Sequence, residues 1–157
     1  MSPRKAKGVV PAESTRLALY SDNRALRDQV CLALGDELAD DLPRLVIEQF
    51  ATPAALVAAL DVRRYDCVVL DAESTPVGGL GLSYQIKDEI PSPPPTIVLV
   101  ARQADAWLAT WSRADGVAPR PIDPLGLPAL VAGVVRAAKA GTLDDTTIVP
   151  GAASRHG

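Results

Sequence analysis

Between residues 16 and 141, short apolar runs alternate with stretches in which apolar residues recur every three or four positions, the pattern of a parallel sheet covered by helices. Leu17 to Tyr20 is the first run. After it come Asp22 and Asn23 as cap candidates, then a helix carrying Leu26, Val30 and Leu34, which Gly35 breaks. Leu45 to Ile47 gives a second strand. Thr52 followed by Pro53 starts the next helix, a capping hydroxyl before a residue preset for the first turn. Cys67 to Leu70 is an unbroken apolar run, as expected of a central strand buried on both faces, and it delivers Asp71 at its carboxyl end.

A loop of Gly78, Gly79 and Gly81 leads into a third helix through Ile86, and Pro91 to Pro95 reads as a rigid connector to the fourth strand, Ile97 to Val100. Asp105 is the expected cap of a fourth helix with Trp107, Leu108 and Trp111, and Val117 and Ala118 make a short fifth strand. Asp123 and Pro124 repeat the cap-then-proline start. Leu127, Leu130, Val131, Val134, Val135 and Ala138 then form the core face of a last helix ended by Gly141. The expectation is an α/β, (βα)5 doubly wound parallel sheet over residues 16–141, between flexible tails at 1–15 and 142–157.

Composition narrows the function. Sixteen Lys plus Arg against nineteen Asp plus Glu give a formal charge of -3, which offers no broad basic field for nucleic acid. No apolar stretch is long enough to span a bilayer and no signal-peptide core opens the chain, so a cytoplasmic, non-membrane protein is expected. Cys31 and Cys67 lie far apart with no zinc or redox spacing. The single histidine, His156, sits in the C-terminal tail, so histidine-based catalysis and most zinc hydrolases drop out.

In such a sheet, distant groups converge at the carboxyl ends of the strands. Asp22 follows the first strand, Asp71 ends the third, Val100 ends the fourth and Arg120 ends the fifth. Two acids and a cation are thus expected on one rim, which suits a divalent metal and a phosphoryl group. Ser21-Asp22-Asn23, Asp66 to Asp71 with Gly79 eight residues on, and Arg120-Pro121-Ile122 resemble the receiver domain of two-component response regulators, across the whole body of the chain. The resemblance implies a flavodoxin-like fold with strand order 2-1-3-4-5 and no enzyme activity. It also implies Asp71 as phosphoacceptor from a histidine kinase, and magnesium held by Asp22, Asp71 and the backbone carbonyl of Glu73.

The departures from that family shape the expectation further. Ser21 replaces the first of two adjacent acids, which lowers the expected magnesium affinity. Val100 replaces a hydroxyl residue that would contact the phosphoryl group, Arg120 replaces a lysine, Val117 replaces the aromatic switch residue, and the proline after the phosphoacceptor is displaced to Pro76. The chain therefore resembles atypical stand-alone receivers of the actinobacterial kind. It is expected to signal through protein contacts, with phosphorylation at Asp71 absent, weak or non-switching; the alternative is a conventional phosphorylatable receiver. Trp111 is expected to face outward, suiting a protein partner or a homodimer through helix 4, strand 5 and helix 5, while Trp107, one turn away, is expected in the core.

Two rivals fit less well. Asp71-Ala72-Glu73-Ser74-Thr75 faintly resembles the nucleophile strand of haloacid-dehalogenase-type phosphatases, but those place it first and use an aspartate where Glu73 stands. A flavodoxin-like nucleotide-binding module would need small residues and free amides after the first strand, where Asp22 would repel an anion.

Overall fold

The computed structural model describes residues 13–143 and 149–150. Its strands are β1 (Thr15–Tyr20), β2 (Leu45–Phe50), β3 (Cys67–Asp71), β4 (Thr96–Val100), β5 (Gly116–Pro119) and β6 (Val149–Pro150). Its helices are α1 (Arg24–Leu34), α2 (Pro53–Val62), α3 (Gly79–Glu89), α4 (Leu108–Trp111) and α5 (Gly126–Ala140), with a 3-10 turn at Gln103–Asp105. The sheet is parallel throughout, in the order β2-β1-β3-β4-β5-β6. The first five strands thus take the expected 2-1-3-4-5 order.

Alternation along the central strands explains the two layers. Leu17 and Leu19 of β1, with Cys67 and Val69 of β3, pack against α1 and α5. Ala18, Tyr20, Val68 and Leu70, one residue out of phase, pack against α2 and α3. A strand buried on both faces has no polar side to show, which is why β3 reads as an apolar run until Asp71. A third cluster joins Val98, Val100, Ala114 and Val117.

The helix starts follow local chemistry. Asn23 caps α1, its side chain accepting from the Leu26 N–H at 3.2 Å, and Thr52 caps α2 by accepting from Ala55. Gly35 (φ 63°) and Gly141 (φ 73°) close α1 and α5 in conformations that L side chains rarely adopt.

Several expectations change. Asp105 does not cap α4: Arg102 holds both its carboxylate oxygens, and α4 is only four residues long with no side-chain cap. Trp107 is not core; it is 70% exposed, because Ala106 is the residue packed against the third cluster. The loop of glycines is shorter than expected, since α3 begins at Gly79 and includes Gly81. Helix α5 starts at Gly126, two residues past Pro124, after a turn in which Asp123 accepts from the Leu125 N–H. Val149–Pro150, expected within a tail, pairs with β5. The rest of that tail at 144–148 and 151–157, the N-terminal stretch 1–12, and His156 lie outside the described residues.

Candidate functional site

Register brings the site together. Tyr20 of β1 pairs with Leu70 of β3, so the residues that follow, Ser21 and Asp71, leave the sheet side by side. On the other side Asp71 pairs with Leu99, and Val100 pairs with Pro119 at the end of β5, which brings Arg120 to the same edge. The start of α3 closes over this edge. A Cβ placed on Gly79 would lie 2.8 Å from the carbonyl carbon of Asp71 and 2.9 Å from its oxygen, so only glycine permits this approach.

Asp71 is 2% exposed, and both its carboxylate oxygens are occupied. Oδ2 accepts from the Ser21 hydroxyl at 2.7 Å and from the Ser74 hydroxyl at 3.1 Å. Oδ1 accepts from the Glu73 N–H at 2.8 Å and, at 3.3 Å, from Nη1 of Arg120. A carboxylate offers about four lone-pair directions, and here four donors use them. Ser21 is fully buried and Arg27 donates to its carbonyl at 2.7 Å, which fixes the backbone behind the hydroxyl.

Asp22 sits on the same rim but faces a different group. Its Oδ2 accepts from the Thr75 hydroxyl at 2.9 Å and from the Thr75 N–H at 3.2 Å. These two donors, the N–H first, hold its carboxyl below the usual aspartate range. Ser74 ties the two acids together, because its hydroxyl accepts from the Asp22 N–H at 2.9 Å while donating to Asp71. Tyr20 lies beneath, donating to the Val77 carbonyl at 2.6 Å; burial and then the Asp22 charge push its phenol above its ordinary value.

The residues singled out from sequence thus fall into three groups. Asp71, Ser21, Arg120 and the N–H of Glu73, not the carbonyl expected from sequence, meet directly, and Asp22 joins them through Ser74. Val100 and Val117, both buried, sit in one apolar cluster where a hydroxyl and an aromatic ring would give the site two polar or mobile groups. Trp111 is 58% exposed and stacks on Tyr84 of α3, with ring centroids 5.4 Å apart. Two contributors were missed, Ser74 and Thr75; their signal was the pair of hydroxyl residues three and four positions after Asp71.

Magnesium seeks near-ideal octahedral oxygen coordination and keeps several waters. Here the two carboxylates that would hold it are already engaged by hydroxyl and N–H donors, and Ser21 supplies a donor proton where a further acid would supply an oxygen. No group of three His, Cys, Asp or Glu side chains that could hold a metal exists among the described residues. As arranged, an ion at the rim would compete with these donors for the carboxylate oxygens. Burial pushes the Cys67 thiol up from its ordinary value, so it stays protonated inside the sheet.

No protein-family model matches the chain. It is 43% identical over 130 residues to a protein of Mycobacterium tuberculosis described as an uncharacterized response regulatory protein, across 82% of this chain and 98% of that one; its counterpart in a second strain matches equally. Among solved structures it resembles a response regulator receiver domain protein (CheY-like) from Methanospirillum hungatei, with a TM-score of 0.66 and 16% identity over 81% of this chain and 98% of that one. It also resembles the response regulator TrrA of Thermotoga maritima in complex with magnesium and beryllium fluoride, with a TM-score of 0.63 and 19% identity over 76% and 98% of the two chains. At these identities the structural likeness speaks to the fold alone.

Proposed function

The chain belongs to the response-regulator family of its mycobacterial relatives, a receiver domain of two-component signalling, and on that premise we propose that its output surface forms without a phosphoryl group on Asp71. The observation that carries this reading is the closed shell of donors around that carboxylate. A nucleophilic oxygen attacks through a lone pair, and each one here is committed to a hydrogen bond. Phosphorylation would require Ser21 or Ser74 to turn away, or Arg120 and the Glu73 N–H to release Oδ1. Magnesium binding at Asp22, Asp71 and the Glu73 carbonyl would in addition compete with Thr75 for Oδ2 of Asp22 and with the four donors on Asp71, so it is weak or absent.

Switching is disfavoured for a second reason. A ligand shifts two conformations only as far as it interacts differently with them. Val100 cannot hydrogen-bond a phosphoryl oxygen, and Val117 is already buried beside it. A conventional receiver is the second reading, and one observation favours it: Arg120 keeps a cation within 3.3 Å of Asp71, where a phosphoryl group would need one.

The docking surface in this proposal is the exposed stack of Trp111 on α4 and Tyr84 on α3, with Trp107 exposed just before α4. Aromatic anchors of this kind dominate the energetics of protein interfaces. Its partner is a protein, either a histidine kinase or a downstream target, or a second copy joined through the neighbouring α4, β5 and α5. Capture experiments with the wild type, Asp71→Ala and Trp111→Ala test the order of importance. The expected result is that the partner survives the first substitution and is lost with the second; the reverse supports phosphate-driven switching.

A further inference from the structure

At the opposite, amino-terminal end of the strands lies a cleft of about 590 Å³, a size typical of small-molecule sites. It runs between the start of β1, the turn before β3, the end of α5 and the proline segment 91–95. Its lining includes Ser14, Arg16, Arg63, Arg64 and Lys139, against the single carboxylate of Asp66. In a chain with a formal charge of -3, this is a local concentration of positive charge.

These cations are not equally committed. Arg16 pairs with Glu48 at 3.1 Å, and Arg63 reaches the same carboxylate at 3.6 Å, so Glu48 partly neutralises both. Asp66 is engaged by the backbone N–H of Arg16 at 2.8 Å. Arg64 and Lys139 are exposed and have no ion-pair partner among the described residues. The Ser14 hydroxyl also borders the cleft, but its Oγ is closed off from solvent and therefore from an occupant of the cleft, so the two exposed cations are the groups a ligand would meet.

We propose that this cleft binds a small phosphate-bearing ligand of nucleotide size, with its phosphates held by Arg64 and Lys139 and its body against the proline wall. Guanidinium forks match phosphate oxygens in pairs, and an ammonium adds a point charge. The negative charge of the rest of the chain selects a small anion over a nucleic-acid polymer. This proposal does not depend on the state of Asp71, which lies at the other end of the sheet. It gives the domain an input that needs no phosphoryl transfer.

Calorimetric titration of the full chain with ATP, pyrophosphate and adenosine tests it, alongside Arg64→Glu, Lys139→Glu and Asp71→Ala. ATP and pyrophosphate should bind, adenosine should not, and added salt should weaken both anions. Each charge reversal should lower ATP affinity about tenfold or more, whereas Asp71→Ala should leave it unchanged. Circular dichroism checks that the variants fold; Arg64 and Lys139 are exposed. A ranking of ATP above pyrophosphate supports the site, and equal affinities overturn the placement of the ligand body on the proline wall. No binding of either anion at millimolar concentration, adenosine binding as tightly as ATP, or affinity indifferent to both charge reversals overturns it.

Discussion

At the carboxyl ends of β1 and β3 every oxygen of Asp71 has a donor, whereas at the amino ends of the same strands a cleft holds two cations with no ion-pair partner among the described residues. The first region is where a receiver would be expected to react, yet its polar groups satisfy one another. The second lies outside the rim where the family resemblance places function, yet two of its cations are uncommitted. A buried polar group with all its hydrogen bonds made resists change, whereas an exposed cation without an ion-pair partner is free to meet an anion. The contrast separates a rim that holds the domain's shape from an end able to take up a signal.

The largest expected effect comes from emptying the closed end. Asp71→Ala leaves Arg120 and two buried hydroxyls without their acceptor and should destabilise the domain by about 3 kcal/mol, measured by urea unfolding. In a pocket crowded with carboxylates the same change would relieve repulsion, so a gain in stability would mean that the rim is not the self-satisfied cage described. Ser21→Ala removes one hydrogen bond to the charged group and should cost about 1.5–2 kcal/mol in the same assay.

A smaller effect distinguishes the rim by pH. Because Thr75 lowers the Asp22 carboxyl in the folded state, its contribution is fully present above the ordinary aspartate value and is lost as pH falls through the lowered one. Unfolding curves taken between pH 6 and about pH 3 should therefore fall less steeply for Asp22→Asn than for the wild type. Parallel curves would remove Thr75 from the account. The smallest effect belongs to the open end: Arg64→Glu and Lys139→Glu should each change stability by less than about 0.5 kcal/mol, since neither cation has an ion-pair partner among the described residues. A larger loss would show that the cleft is structural.

Much of the scaffold was legible in the sequence because its signals are local or strictly periodic. The apolar run of β3, the Thr52-Pro53 start and the Asn23 cap depend on a few neighbouring residues. The α4 region was misread because Arg102, three residues before Asp105, took the carboxylate that would have capped a helix, and because Ala106 could fill the space assigned to Trp107. No periodicity reveals either competition. At the rim, Asp71, Asp22 and Arg120 were visible from the strand ends. Ser21 read only as a missing charge. Its role as a donor depends on β1 and β3 leaving the sheet in register, and on Ser74 turning back from the following loop, which only coordinates reveal.

The closure of Asp71 is tested most directly by incubating the wild type and Ser21→Asp with magnesium and acetyl phosphate and reading the intact mass. The account predicts no phosphoryl adduct on the wild type, and an adduct, if one forms at all, only where the hydroxyl donor has been exchanged for an acid. Stoichiometric addition of one phosphoryl group to wild-type Asp71 would contradict it.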